Sequence, residues 1–355
     1  MMAPMLFGLL FALAAGLMWG LVFVAPVMLP GYAPALLTVG RYLAFGLIAL
    51  PLALLLDRRA LRELRPADWW EAAKLSAIGN FLYYLCLSAA IQRAGAPLPT
   101  MIIGTLPVVI AVTANQRNRE RDGHLPWARL VPSLALIAAG LALVNRDELA
   151  TLQAEAGDAR RYAEGALLAV AAVACWTWYP IRNADWLRAH TDPAARRAAP
   201  SAADPRGGPA SHRDDVGVVK SPRAWATAQG LVTLPMALVG AVLLGLMHLI
   251  APGTLIPAGY AFPLGDKAPA YVGLMMAIGL CSSWLGTLCW NEASQRLPTS
   301  LSGQLIVFET LAALAYAFTW NQRQPPPATL AGVALLVAGV VWALRIKPVR
   351  TPAVS

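Results

Sequence analysis

Ten runs of about twenty apolar residues leave this chain little choice of solvent: 5–28, 36–56, 72–92, 97–115, 127–145, 163–181, 224–250, 269–295, 298–320 and 326–344. A helix of that length crosses a hydrocarbon core of ~30 Å while pairing its own backbone groups. Hydrophobic residues make up 58% of the 355 and charged residues 13%, which excludes an ordinary soluble domain. The expected fold is an all-α membrane protein with ten transmembrane helices. The opening MMAPMLFGLL lacks a basic flank, and its apolar run is too long for a secretory signal, so it is expected to be a retained first span.

The formal charge of +9 invites a nucleic-acid partner, but its distribution points to a lipid bilayer instead. With the N-terminus inside, the inner loops carry 21 Arg and Lys residues, in clusters such as Arg58, Arg59, Arg62 and Arg65 or Arg117, Arg119 and Arg121. The outer loops carry 6: Arg93, Arg146, Arg160, Arg161, Lys267 and Arg323. That bias predicts both termini in the cytoplasm and no nucleic-acid partner. The four cysteines, Cys86, Cys175, Cys281 and Cys289, fall inside spans without metal-ligand spacing and read as small packing residues. No metal or cofactor is expected, and the chain has no phosphate-binding loop that would couple it directly to ATP.

The segment 182–223 is rich in Pro, Ala, Arg and Gly and reads as a flexible cytoplasmic linker. The stretch GLLFALAAGLMW at 8–19 aligns without gaps on GALLAVAAVACW at 165–176. Ala77 to Gly79 recurs as Ala277 to Gly279, Gln92-Arg93 as Gln295-Arg296, and Ala139-Gly140 as Ala338-Gly339. The chain therefore divides into two five-span repeats, 1–150 and 160–347, the second interrupted by the linker. Five is odd, so successive repeats cross the bilayer in opposite directions, an architecture recurrent among transporters.

The order of these elements resembles EamA-type members of the drug/metabolite transporter superfamily. The residues that carry the resemblance are the ALAAGLMWGLVF opening, Arg41-Tyr42 early in the second span, LPVVIAV in the fourth, FETLAAL in the ninth and the ALLVAG close. The resemblance implies a bacterial inner-membrane carrier, usually an exporter of amino acids, related metabolites or drugs. Many relatives have a Leu-Glu-Pro-like element in the fourth and ninth spans. Here it is split between Leu106-Pro107 and Glu309-Thr310.

Two polar stripes are candidates for lining a substrate path. In the third span Asn80, Tyr84, Ser88 and Gln92 recur every four residues. An offset of 203, set by the Gln-Arg match, gives Ser283, Thr287, Asn291 and Gln295 in the eighth. Polar groups facing lipid would be unsatisfied, so both stripes are expected to face the bundle interior, either as a cavity lining or as interhelical hydrogen bonds. Glu309 falls near the middle of the ninth span, where an acidic residue costs roughly 2.5–3.5 kcal/mol to insert, and its repeat counterpart by the same offset is Leu106. It could bind a substrate ammonium, carry a coupling proton, or make a buried helix–helix hydrogen bond. Arg41 is expected to snorkel toward the outer interface. Trp19 and its match Trp176 are candidate gates nearer the two mouths, with interfacial anchoring as the alternative.

These features together lead to a secondary carrier rather than an enzyme, exporting small amphiphilic metabolites by alternating access, with Asn80, Tyr84, Ser88, Thr287, Asn291 and Glu309 at the substrate. A proton-coupled importer is the alternative within transport. An intramembrane enzyme would need clustered His, Asp or Ser residues, and the four histidines are scattered.

Overall fold

The computed structural model describes residues 2–94, 97–117, 125–144, 146, 159–191, 221–320, 322, 324–346 and 349. Helices make up the regular structure, with no β-sheet among the described residues. In chain order they are α1 (2–28), α2 (Pro34–Arg62), α3 (Pro66–Ala94), α4 (97–117), α5 (Trp127–Val144), α6 (Ala159–Thr191), α7 (Pro222–Ile250), α8 (Ala268–Arg296), α9 (299–320) and α10 (Pro327–Leu344). Eight of the ten are long and apolar enough to cross a membrane.

The other two, α4 and α9, are each broken in the middle. In α4 the break falls at Thr105, between Pro97–Gly104 and Leu106–Arg117, and Pro107 explains it: proline lacks the N–H that would continue the ladder and is tolerated in the first turn after a restart. In α9 the break falls at Ile306, between Thr299–Leu305 and Val307–Trp320, with no proline nearby. The hydrogen bonds match on either side, Val108 N to Thr105 O at 3.0 Å and Glu309 N to Ile306 O at 2.9 Å. By that register the residue opposite Glu309 is Val108, not Leu106 as the offset of 203 implies.

For α3 and α8 that offset holds residue by residue. Each contains a wide π-helical turn, Ser76–Leu82 in α3 and Gly279–Leu285 in α8, and 203 residues separate both their starts and their ends. Such turns are rare and concentrate at functional sites. Their recurrence puts the two polar stripes on matching stretches of helix.

Helices pack in a pattern that survives exchanging the two halves. α5 packs along α10, α2 along α7 and α4 on α9, while α3 packs on α6 and α1 on α8. The α5–α10 contact depends on glycine: a Cβ on Gly140 would stand 2.7 Å from the Gly332 carbonyl oxygen and 2.8 Å from Leu336 Cγ. Gly140→Ala should therefore cost about 1–3 kcal/mol through overpacking, measured as a lower unfolding temperature in detergent, and an unchanged unfolding temperature would show that the helices can part without cost.

One boundary differs from expectation. The helix expected to end at residue 181 continues to Thr191, so the first part of the 182–223 segment is helical and packed rather than a linker. Tertiary contacts hold it there. Trp186 stacks on Trp225 at 3.4 Å, Arg182 pairs with Glu71, and Arg117 pairs with Asp185 at 3.3 Å. The rest of the segment, 192–220, lies outside the described residues.

Candidate functional site

The middle of the bundle, where α1, α3, α6 and α8 converge, is built from aromatic rings. Trp19 meets Trp176 edge-on with ring centroids 5.1 Å apart and leans on Trp290 at 5.1 Å. Trp176 stacks in turn on Tyr83 at 4.7 Å and on Tyr179 at 5.0 Å. The indole N–H of Trp19 donates to the Ser282 carbonyl at 3.0 Å, in the wide turn of α8. Trp19 and Trp176 are thus not at opposite mouths, which corrects that expectation. Both lie near the middle of their helices.

Two ionisable side chains, Arg41 and Glu309, are also buried. Arg41 is 5% exposed: its Nε donates to Ser283 Oγ at 3.0 Å, and its guanidinium lies 5.0 Å from the Tyr42 ring and 4.7 Å from the Tyr84 ring. It does not snorkel. Two aromatic faces and a hydroxyl in the wide turn of α8 hold the planar cation inside, a role suited to arginine's weak hydration and stacking geometry.

Glu309 is 3% exposed and sits one turn after the α9 break. Its backbone packs against Gly16, where a Cβ would come within 3.1 Å of Glu309 N. Arg41 lies on α2 and Glu309 on α9. No ion pair within 4.0 Å joins the two among the described residues.

Their unused hydrogen-bonding capacity is the site's main chemical feature. Arg41 Nη1, Tyr42 OH, Asn80 Nδ2, Tyr83 OH, Trp176 Nε1 and Glu309 Oε2 are all buried without a hydrogen-bond partner among the described residues. Folded proteins leave few such atoms, because each forfeits a few kcal/mol of desolvation. Several of them share one region of the bundle, since Tyr42 and Tyr84 flank Arg41 and Tyr83 stacks on Trp176.

The sequence-predicted residues divide between this centre and a second cluster. Both polar stripes turn inward: Asn80, Tyr84, Ser88, Ser283, Thr287 and Asn291 are buried. Asn80, Tyr84 and Glu309 each carry an unpaired buried atom, and Tyr84 and Ser283 both contact Arg41. Asn291 belongs elsewhere. Its Oδ1 accepts from Asn183 Nδ2 at 2.8 Å and its Nδ2 donates to the Pro222 carbonyl at 3.1 Å. Asn183 Oδ1 also accepts from Trp225 Nε1 at 2.8 Å, and Gln229 Oε1 accepts from the Tyr179 hydroxyl at 2.9 Å. This network ties α6, α7 and α8 together on the side of the basic loops. A cysteine at Asn291, in a background without the native cysteines, should therefore stay unreactive to a small water-soluble thiol reagent, and rapid labelling would show that the network opens to water.

Sequence reasoning did not assign Arg41 and Asn183 to these clusters. For Arg41 the signal was present, a charge inside an apolar run, but nothing local told inward from outward. Asn183 lay beyond the expected end of its span. An apolar pocket of about 190 Å³ opens separately between α2, α7 and α8, beside Leu43, Leu47, Met275 and Met276, and includes none of the stripe residues.

Fold and site together define a polytopic helical membrane protein with buried polar atoms left unpaired among the described residues. The sequence profile of the EamA-like transporter family matches residues 6–145, the stretch that holds α1 to α5. The chain is 48% identical to "Inner membrane protein YtfF" of Escherichia coli (strain K12) over 347 residues, 97% of each protein. It belongs to the EamA-like transporter family. A crystal structure of a protein 18% identical in sequence superposes with a TM-score of 0.63, covering 95% of this chain and 96% of that one, a likeness of fold.

Proposed function

We propose that the protein is a secondary carrier of the bacterial inner membrane that exports small amphiphilic metabolites by alternating access, with no enzymatic step. The observation that carries this reading is the unpaired polar cluster around Arg41, Asn80 and Glu309, enclosed at mid-bundle by aromatic rings. A purely structural seam would pair its polar groups, as the Asn183–Asn291 network does. The two halves, α1 to α5 and α6 to α10, act as inverted repeats that rock about this centre. Support for that comes from the recurring wide turns of α3 and α8, the exchange-invariant packing and a family match that spans one half. Both termini face the cytoplasm by the charge bias, and the inner-membrane assignment follows the E. coli relative.

Reconstitution tests the reading. Proteoliposomes screened for uptake and release of small metabolites, with and without a pH gradient, should move at least one amphiphilic metabolite saturably. Protein that folds and reconstitutes yet moves none would contradict it.

A further inference from the structure

The apolar pocket between α2, α7 and α8 takes no part in the polar site, and its construction is specific. Leu36 and Leu47 mark its two ends on α2, Ala241 lines it from α7, and Val272 and Met276 line it from α8. Phe262 to Leu264, in the loop between α7 and α8, form a roof at the Leu36 end. Tyr32 fixes that roof to the floor. Its hydroxyl donates to the Leu264 carbonyl at 2.7 Å, and its ring stacks on Tyr271 at 4.9 Å. Tyr271 is the one polar side chain in the lining, and its hydroxyl is already committed to the Leu36 carbonyl at 2.7 Å. A Cβ on Gly40 would overlap that hydroxyl, so glycine there is what lets the tyrosine reach α2. The pocket of about 190 Å³ therefore offers a solute no free polar side-chain atom.

Length and surroundings indicate the occupant. Leu36 and Leu47 lie on one unbroken stretch of helix, and at 1.5 Å per residue the span between them is roughly 16 Å, about one leaflet of a ~30 Å hydrocarbon core. Leu47, Val272 and Met276 are exposed on the outside of two membrane-crossing helices, so the medium that meets the pocket at this depth is acyl chain and not water. An apolar cavity of about this size stays dry and takes up hydrocarbon. Left empty, it would forfeit the dispersion contacts of its lining. We infer that the pocket is a binding site for one acyl chain of a membrane phospholipid. The chain enters between α2 and α8 and lies along α2, with its carbonyl end beside the Phe262 to Leu264 roof and its methyl end toward Leu47. The polar part of a carried amphiphile would find no partner here, whereas a lipid keeps its headgroup outside.

Photo-cross-linking in proteoliposomes tests the site. The probe is a phosphatidylethanolamine with a diazirine midway along one acyl chain, and labelled residues are mapped by mass spectrometry. Leu47, Val272 and Met276 should be labelled severalfold more heavily than Leu330 and Val337, which are exposed at comparable distances from the start of α10. Ala241→Phe fills the pocket from α7, away from the polar stripes, and should bring labelling of the three residues down to the α10 level. Even labelling of the two surfaces overturns the site, as does an Ala241→Phe protein labelled like wild type. If Ala241→Phe fails to fold, the comparison with α10 in wild-type protein decides alone. Label displaced by a transported solute would assign the pocket to the substrate, and labelling that appears only when the protein is diluted in the bilayer would assign it to a second copy of the chain. Either result overturns the lipid site.

Discussion

Replacing Glu309 with glutamine should weaken solute exchange across proteoliposomes about ten- to hundredfold and abolish accumulation driven by a pH gradient. Glutamine keeps the size and most of the hydrogen bonding but removes the charge and the exchangeable proton. A hydrogen bond to a charged group contributes about 1.5–3 kcal/mol, and about 1.4 kcal/mol corresponds to each factor of ten, which sets that range. Stability should move the other way. Glu309 is buried with Oε2 unpaired, so an apolar residue of similar volume removes a penalty rather than a bond. Glu309→Leu should therefore match or exceed the wild-type unfolding temperature while carrying nothing. That combination separates a residue kept for function from one kept for packing. A Gln variant with wild-type exchange and wild-type accumulation would remove Glu309 from the site, and a marked loss of stability in the Leu variant would show it to be structural.

Arg223→Met should destabilise the protein more than other single changes at its basic end. Asp57 is 2% exposed and accepts from Arg223 Nε at 2.9 Å and from Thr227 Oγ1 at 2.7 Å, joining α2 to α7 where their ends meet. Stranding one member of a buried ion pair costs about 3–5 kcal/mol, and because the Arg223 side chain is 44% exposed the low end of that range applies. The double variant Asp57→Asn with Arg223→Met should recover part of the loss, since it leaves no orphaned charge. Thermal unfolding of the three proteins measures this. A double variant no more stable than Arg223→Met would mean that the pair is not what Asp57 contributes.

How much of this was legible beforehand depended on the range of the interaction concerned. Span positions follow from residue type alone, because backbone satisfaction in hydrocarbon leaves helices as the solution for such runs. The offset of 203 between the third and eighth spans rested on a Gln-Arg match and short polar stripes. It coincides with the spacing of the two wide turns, a backbone feature that no residue pattern announced. What escaped the sequence depends on contacts between distant segments. The helical continuation through Arg182 and Asn183 is held by Glu71 on α3 and Asn291 on α8, and locally that stretch reads as a polar linker. Arg41 reads as a snorkelling interfacial charge until Ser283 and Tyr84 are seen to enclose it. Trp19 and Trp176 share a column in the alignment of 8–19 on 165–176, but alignment carries no depth. Their 5.1 Å contact depends on how α1 and α6 pack against each other. For α4 and α9 the offset failed because the segment before the break has eight residues in α4 and seven in α9, and the hydrogen bonds after each break give the register instead.

The central claim, a site at mid-bundle reached from each side in turn, is tested most directly by one cysteine at Asn80. The variant would be made in a background without the native cysteines and exposed to a membrane-impermeant thiol reagent in right-side-out and inverted vesicles. Asn80 is 6% exposed, with its Nδ2 unpaired among the described residues. The account predicts labelling from both sides, slowed on each by a transported solute. Labelling from neither side, or from one side under every condition, would contradict it.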